Sequence, residues 1–139
     1  RRRSYMDKVK LIQLDKMSNE KGSVYHIIKE PNFKIKEVYL SSLTKKVVKG
    51  WKKHKSMTLN LVVIKGNVLF TILNGGTIEK HTIGDSNYCR LVIPPKCWVC
   101  FEGMDHENII INCSDMVHDP AEIDLKEFNG YEKDFSHWV

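Results

Sequence analysis

KGWKKHKSMTLNLVVIKGNVLFTIL, Lys49–Leu73, is the stretch whose reading decides the fold. Within it, Thr58–Lys65 (TLNLVVIK) is nearly continuous apolar sequence, of strand length and rich in β-branched residues. It reads as a central strand. Gly66-Asn67 is a turn signal, and Val68–Leu73 (VLFTIL) is expected to follow as the hairpin partner. Upstream, Val47–Trp51 forms another short strand that runs into a basic stretch.

The same rhythm continues outward. Met6–Leu14 alternates apolar and polar residues as an edge strand does. Ser18–Gly22 (SNEKG) is a turn, Ser23–Ile28 is β-rich, and Glu30-Pro31-Asn32 closes it. Lys34–Leu40 alternates again. Asn74-Gly75-Gly76 is a turn. Thr77–Ile83, Cys89–Ile93, Trp98–Phe101 and Asn108–Cys113 are further strands, with Pro94-Pro95 ending one of them. After Pro120 the pattern changes: Ala121–Phe128 is one short helix or extended chain. Strands this frequent, with turns between them and no long amphipathic helix, indicate an all-β sandwich or barrel. The acidic and aromatic tail, Tyr131–Val139, is expected to pack back on that barrel.

The chain has 139 residues, 42 % hydrophobic and 28 % charged, a balance that is globular and not disordered. Its length fits a single domain over residues 6–139 with a core that needs no staples. Arg1–Tyr5 precede Met6 and read as an expression remnant or a disordered arm. Without Arg1, Arg2 and Arg3 the formal charge of +5 falls to +2. That excess is too small for nucleic acid but compatible with a local basic pocket for a small anion. No apolar run is long enough to span a bilayer. The four cysteines, Cys89, Cys97, Cys100 and Cys113, are expected to be reduced thiols in a cytoplasmic protein. Cys97-x-x-Cys100 follows Pro94-Pro95 on an apparent strand, where a spacing of three turns the thiols to opposite faces. They read as buried structural residues.

Several stretches together resemble the dTDP-4-dehydrorhamnose 3,5-epimerase family. Glu20-Lys21-Gly22-Ser23 is similar to the family's D-x-R-G. Lys49–Gly66 resembles R-G-L-H followed by a strand and a glycine turn; a short branch reads K-G-W-x-x-H-x-x-M-T-L-N. NYCRLVIPPKCWVCF, Asn87–Phe101, resembles E-N-x-x-x-L-x-I-P-x-G-F-x-H-G-F. HDPAEID, His118–Asp124, and the closing stretch to Trp138 resemble the same short branch. The resemblance implies a cupin-type jelly-roll β-barrel with little helix, usually a homodimer. It also implies a substrate in which a nucleoside diphosphate carries a 4-keto-6-deoxy sugar. A base removes a proton beside the ketone, the enolate is stabilised, and an acid returns a proton to the other face. Such chemistry asks for no redox cofactor and no metal. The setting it implies is surface-polysaccharide biosynthesis.

Carried residue by residue, the resemblance puts Lys52 where the family has its catalytic histidine, with His54 two residues on. On a strand that spacing keeps both on one face, and the ammonium would favour a neutral imidazole. The enolate-stabilising lysine registers near Leu59, and the tyrosine acid near Val117 or His118. Tyr88 and His118 are therefore the substitutes for the acid. Lys21 and Lys49 stand where arginines hold the diphosphate. Asn87 and Trp51 are candidates for ligand contact. A cupin metal site would need H-x-H, here Lys52-Lys53-His54, and a later histidine, here Val99; no metal is expected. Two other readings stay open: a 3,4-ketoisomerase on the same substrate class, and a sugar-nucleotide-binding cupin without turnover.

Overall fold

The computed structural model describes residues 8–127. Twelve strands fill most of that span: β1 Lys10–Gln13, β2 Lys16–Asn19, β3 Gly22–Tyr25, β4 Glu37–Thr44, β5 Val48–His54 and β6 Leu59–Lys65 in the first half. The second half holds β7 Asn67–Asn74, β8 Thr77–Gly84, β9 Cys89–Ile93, β10 Trp98–Gly103, β11 Glu107–Ser114 and β12 Ile123–Leu125. Pro120–Glu122 make a single 3₁₀ turn before β12.

Two five-stranded sheets face each other, in the orders β1-β9-β6-β11-β4 and β12-β5-β10-β7-β8. All their pairings are antiparallel. β2 and β3 form a separate hairpin. This is the all-β, cupin-type jelly roll with little helix that the strand rhythm and the resemblance point to. Among the described residues no helix is long and apolar enough to cross a membrane.

β6 is central, as its unbroken apolar run requires, and β1 is an edge. The expected hairpin of β6 with Val68–Leu73 does not form. β6 pairs with β9 and β11, whereas β7 pairs with β8 and β10, so Gly66-Asn67 carries the chain from one sheet to the other. Gly66 has φ +75°, and a Cβ there would lie 2.4 Å from Asn108 Oδ1. Asn108 is buried and ties the crossing down: its Oδ1 accepts from the Asn67 and Asp105 amides, and its Nδ2 donates to the Leu43 carbonyl. Only glycine fits that approach. Ala121–Phe128, left open as helix or extended chain, is the 3₁₀ turn followed by β12 within its described part.

Between the sheets lies the main core, with Leu59, Leu61, Val63, Phe70, Ile72, Leu91, Ile93, Val99 and Ile110. A second cluster, Trp51, Leu73, Trp98 and Cys100, sits on the other side of the second sheet. Cys97 belongs to the first cluster and Cys100 to the second, and all four cysteines are free and buried. The expected packing of Tyr131–Val139, and residues 1–7, lie outside the described residues.

Candidate active site

β5 positions the site. In Trp51-Lys52-Lys53-His54 the strand alternation sends Trp51 and Lys53 to one side and Lys52 and His54 to the other. Trp51 is 2 % exposed and packs with Trp98, while Lys53 Nζ lies 5.0 Å from the centre of the Trp98 ring. Lys52 and His54 line the space between the sheets. Trp51, expected at the ligand, therefore forms part of the outer core, because neighbours on a strand cannot share a face.

β5 also carries a bulge. Opposite β10, Lys52 faces Val99 and Lys49 faces Phe101, so Gly50 and Trp51 together oppose Cys100. A Cβ on Gly50 (φ +156°) would come 2.4 Å from Cys100 Cβ, which is why the bulge needs glycine. The extra residue puts Lys49 and Lys52, three apart, on the same face, since directly opposed residues point the same way and both Val99 and Phe101 face the cavity. Lys49 is exposed and stands beyond the cavity lining.

The cavity has two parts. An inner lobe of ≈ 90 Å³ is walled by Leu59, Leu61, Phe70, Val99 and Ile110. The mouth, ≈ 290 Å³, is bounded by Glu37, His118 and Ile123. Tyr39, Lys52 and His54 border both parts. His54 is 7 % exposed. Burial lowers its pKa below the usual 6.5; Glu122 opposes the shift, and Lys52 and His118 add to it. The imidazole is thus neutral at neutral pH and able to accept a proton. The ammonium expected to favour the neutral base does so, but burial is the larger cause.

Glu122 is a site residue that sequence reasoning missed. Its Oε2 accepts from the Ser56 and Met57 amides, both at 2.7 Å, and lies 3.9 Å from His54 Nδ1. Burial alone would raise its pKa, but these backbone N–H groups and the His54 ring hold it below the ordinary carboxylate range. Among the described residues His54 Nδ1 makes no hydrogen bond, so the carboxylate acts on the ring through charge. Asp119 caps the turn that delivers Glu122, accepting from the Ala121 amide at 3.0 Å with Pro120 in the first position. Asp-Pro-Ala-Glu, Asp119–Glu122, has the spacing of a capping motif, and that was the available signal.

Tyr39 was missed as well. It lies on β4, in the sheet facing His54, so the two border the cavity from opposed walls. Asn112 Nδ2 donates to the Tyr39 hydroxyl at 2.8 Å, and Asn112 Oδ1 accepts from the Asn60 amide at 3.0 Å. The Tyr39 oxygen is held as an acceptor, and its own proton is left to be donated elsewhere.

The remaining expected site residues divide. His118 reaches the mouth, with its amide donating to Glu37 Oε1 at 2.7 Å. Tyr88 does not line the cavity. Its hydroxyl donates to the His26 carbonyl at 2.8 Å and its ring packs edge-on to Tyr25. Burial, and then Tyr25, raises its pKa. Asn87 accepts from Gln13 at 3.2 Å near the same end. Lys21 is exposed at the tip of the β2–β3 hairpin. The structure brings together Lys52, His54 and His118, and leaves Tyr88, Asn87, Lys21 and Trp51 apart from them. Among the described residues no group of three or more His, Cys, Asp or Glu side chains is arranged to hold a metal.

Known proteins resemble this one over most of its length. A dTDP sugar isomerase from Desulfovibrio desulfuricans G20 superposes with TM-score 0.83 at 27 % identity, covering 93 % of this chain and 94 % of that one. The sugar 3,4-ketoisomerase QdtA from Thermoanaerobacterium thermosaccharolyticum, solved with TDP, gives 0.74 at 19 % identity, covering 83 % and 85 %. A dTDP-4-dehydrorhamnose 3,5-epimerase from Sulfolobus tokodaii gives 0.75 at 19 % identity, covering 84 % and 76 %. The latter two likenesses establish the fold alone. Comparison with curated protein sequences gives no match. The family profile described as FdtA: WxcM-like, C-terminal, matches residues 7–133, and the chain belongs to that family.

Proposed function

We propose that this protein enolises a nucleoside-diphosphate-linked 4-keto-6-deoxy sugar, with His54 as the base. The observation that carries the reading is a buried imidazole, kept neutral and set on the wall of a partly apolar cavity beside an ammonium group. His54 takes the proton from the carbon next to the ketone, and the electrons pass to the carbonyl oxygen. The Lys52 ammonium balances the charge that develops there. Glu122 stabilises the imidazolium that forms. Tyr39, on the opposed wall, returns a proton to the other face, which gives epimerisation at C3, at C5 or at both. Only protons move.

A second reading, 3,4-ketoisomerisation, begins with the same abstraction at C3; the C4 oxygen then takes up a proton, the C3 hydroxyl gives one up, and a proton delivered to C4 leaves the ketone at C3. Neither the family profile nor the 27 % identical dTDP sugar isomerase separates the two readings; opposed His54 and Tyr39 favour epimerisation. The nucleotide in both cases is dTDP. His118 and Lys49, at or beyond the mouth, are placed to meet the diphosphate. We assign the protein to the cytoplasm, as a homodimer making sugars for surface polysaccharide.

Incubation with dTDP-4-keto-6-deoxyglucose, followed by NMR of the product, tests this. A C3 or C5 epimer supports the first reading and a 3-keto isomer the second. Unchanged substrate that nevertheless binds would leave a sugar-nucleotide-binding cupin without turnover.

A further inference from the structure

We infer that the inner lobe of the cavity reads the substituent on carbon 6 of the sugar and selects a methyl group over a hydroxymethyl group. The inference rests on the nucleotide-sugar reading above. Beyond the ring of Tyr39, Lys52 and His54 that it shares with the mouth, this lobe is walled almost wholly by hydrocarbon: Leu59, Leu61, Phe70, Val99, Phe101 and Ile110. Its other polar side chains are Ser41 and Asn112. Asn112 is 2 % exposed, and both ends of its amide are engaged, by the Asn60 amide and the Tyr39 hydroxyl. Leu59 is buried and belongs to this wall.

The orientation follows from the sugar. The diphosphate on C1 must leave through the mouth, where His118 stands. With C1 outward, the far edge of the ring, C4 and C5, enters deepest, and the C5 substituent meets the hydrocarbon wall. A methyl there gains apolar burial. A hydroxymethyl carries a hydroxyl away from water to a wall with few partners, and the unpaired group is costly. A hydrophobic pocket rejects an added hydroxyl by about 10²-fold at most, so discrimination of about 10- to 100-fold is expected here.

dTDP-glucose and dTDP-6-deoxyglucose test this, because neither carries a ketone and turnover plays no part. Calorimetry on the full chain should show the 6-deoxy ligand binding about 10- to 100-fold tighter. Val99→Thr keeps the shape of the wall and adds one hydroxyl; it should narrow the ratio to within about threefold, and Leu59→Asn should do the same. Equal binding of the two ligands to the unaltered protein overturns the inference and leaves the nucleotide-sugar reading standing. A ratio unmoved by either substitution overturns the assignment to this wall. Binding of neither ligand overturns both the inference and the reading beneath it.

Discussion

The two sides of β5 are made from four consecutive residues and do opposite things. On the outer side, Trp51 and Lys53 close against Trp98 in a cluster that also holds Leu73 and Cys100. On the inner side, Lys52 and His54 border a cavity, and the His54 ring is buried with a nitrogen that makes no hydrogen bond among the described residues. One side consists of surfaces that fit each other. The other keeps a buried base next to empty space. An imidazole held neutral by burial, bordering a cavity beside a lysine, is an arrangement characteristic of active sites, and the chemistry is assigned to the inner side on that contrast.

The comparison breaks most readily at His54. His54→Asn removes the base and keeps a polar group of similar reach, so enolisation should fall by about 10²- to 10⁴-fold while the thermal midpoint moves little. Trp51→Ala probes the other side. It empties a large buried volume and should cost about 3–5 kcal/mol of stability, read from denaturant unfolding, while the fraction still folded keeps its turnover per molecule. If Trp51→Ala instead destroyed activity in protein that remains folded, the division between the sides would be wrong.

Two substitutions sharpen the inner side through pH. The base works when unprotonated, so the rate should rise with pH through the lowered pKa of His54 and level off above it. Lys52→Met removes a charge that depresses that pKa and should move the acid limb to higher pH, besides slowing turnover by about 10- to 100-fold through loss of enolate stabilisation. Glu122→Gln removes the opposing charge and should move the limb to lower pH, with a smaller loss of rate. Shifts in the same direction would contradict the electrostatic arrangement. The depressed pKa also bears on stability. As pH falls below 6.5 the unfolded chain takes up a proton that folded His54 resists. The unfolded state then binds more protons, and stability declines through that window. The smallest effect belongs to the outer surface: Lys53→Ala loses a cation–π contact worth about 0.5–1 kcal/mol, detectable in unfolding and absent from the kinetics.

How much of this was legible in the sequence depends on distance along the chain. The strand rhythm, the central position of Thr58–Lys65 and the shared face of Lys52 and His54 follow from local period, and all are present. Alternation also forbids Trp51 from joining Lys52 in the cavity, so that misplacement was avoidable from the same rule. The β6–β7 crossing was not: Gly66-Asn67 has the letters of a hairpin turn, and what redirects it is buried Asn108, some forty residues away. Tyr39 and Asn112 meet across the sheet from positions 73 apart, and Glu122 reaches the Met57 amide from 65 apart. No local period reports such pairings. The bulge that turns Lys49 to the side of Lys52 is hidden for a related reason, since a single inserted residue inverts the parity on which face assignments rest.

The most direct test of the central claim is proton exchange in heavy water. dTDP-4-keto-6-deoxyglucose incubated with the protein should take up deuterium at C3 or C5, followed by NMR, and the His54→Asn protein should reduce that uptake by at least about 10²-fold. Exchange that proceeds equally in the His54→Asn protein would contradict the account, because the proton would then be leaving to a base elsewhere.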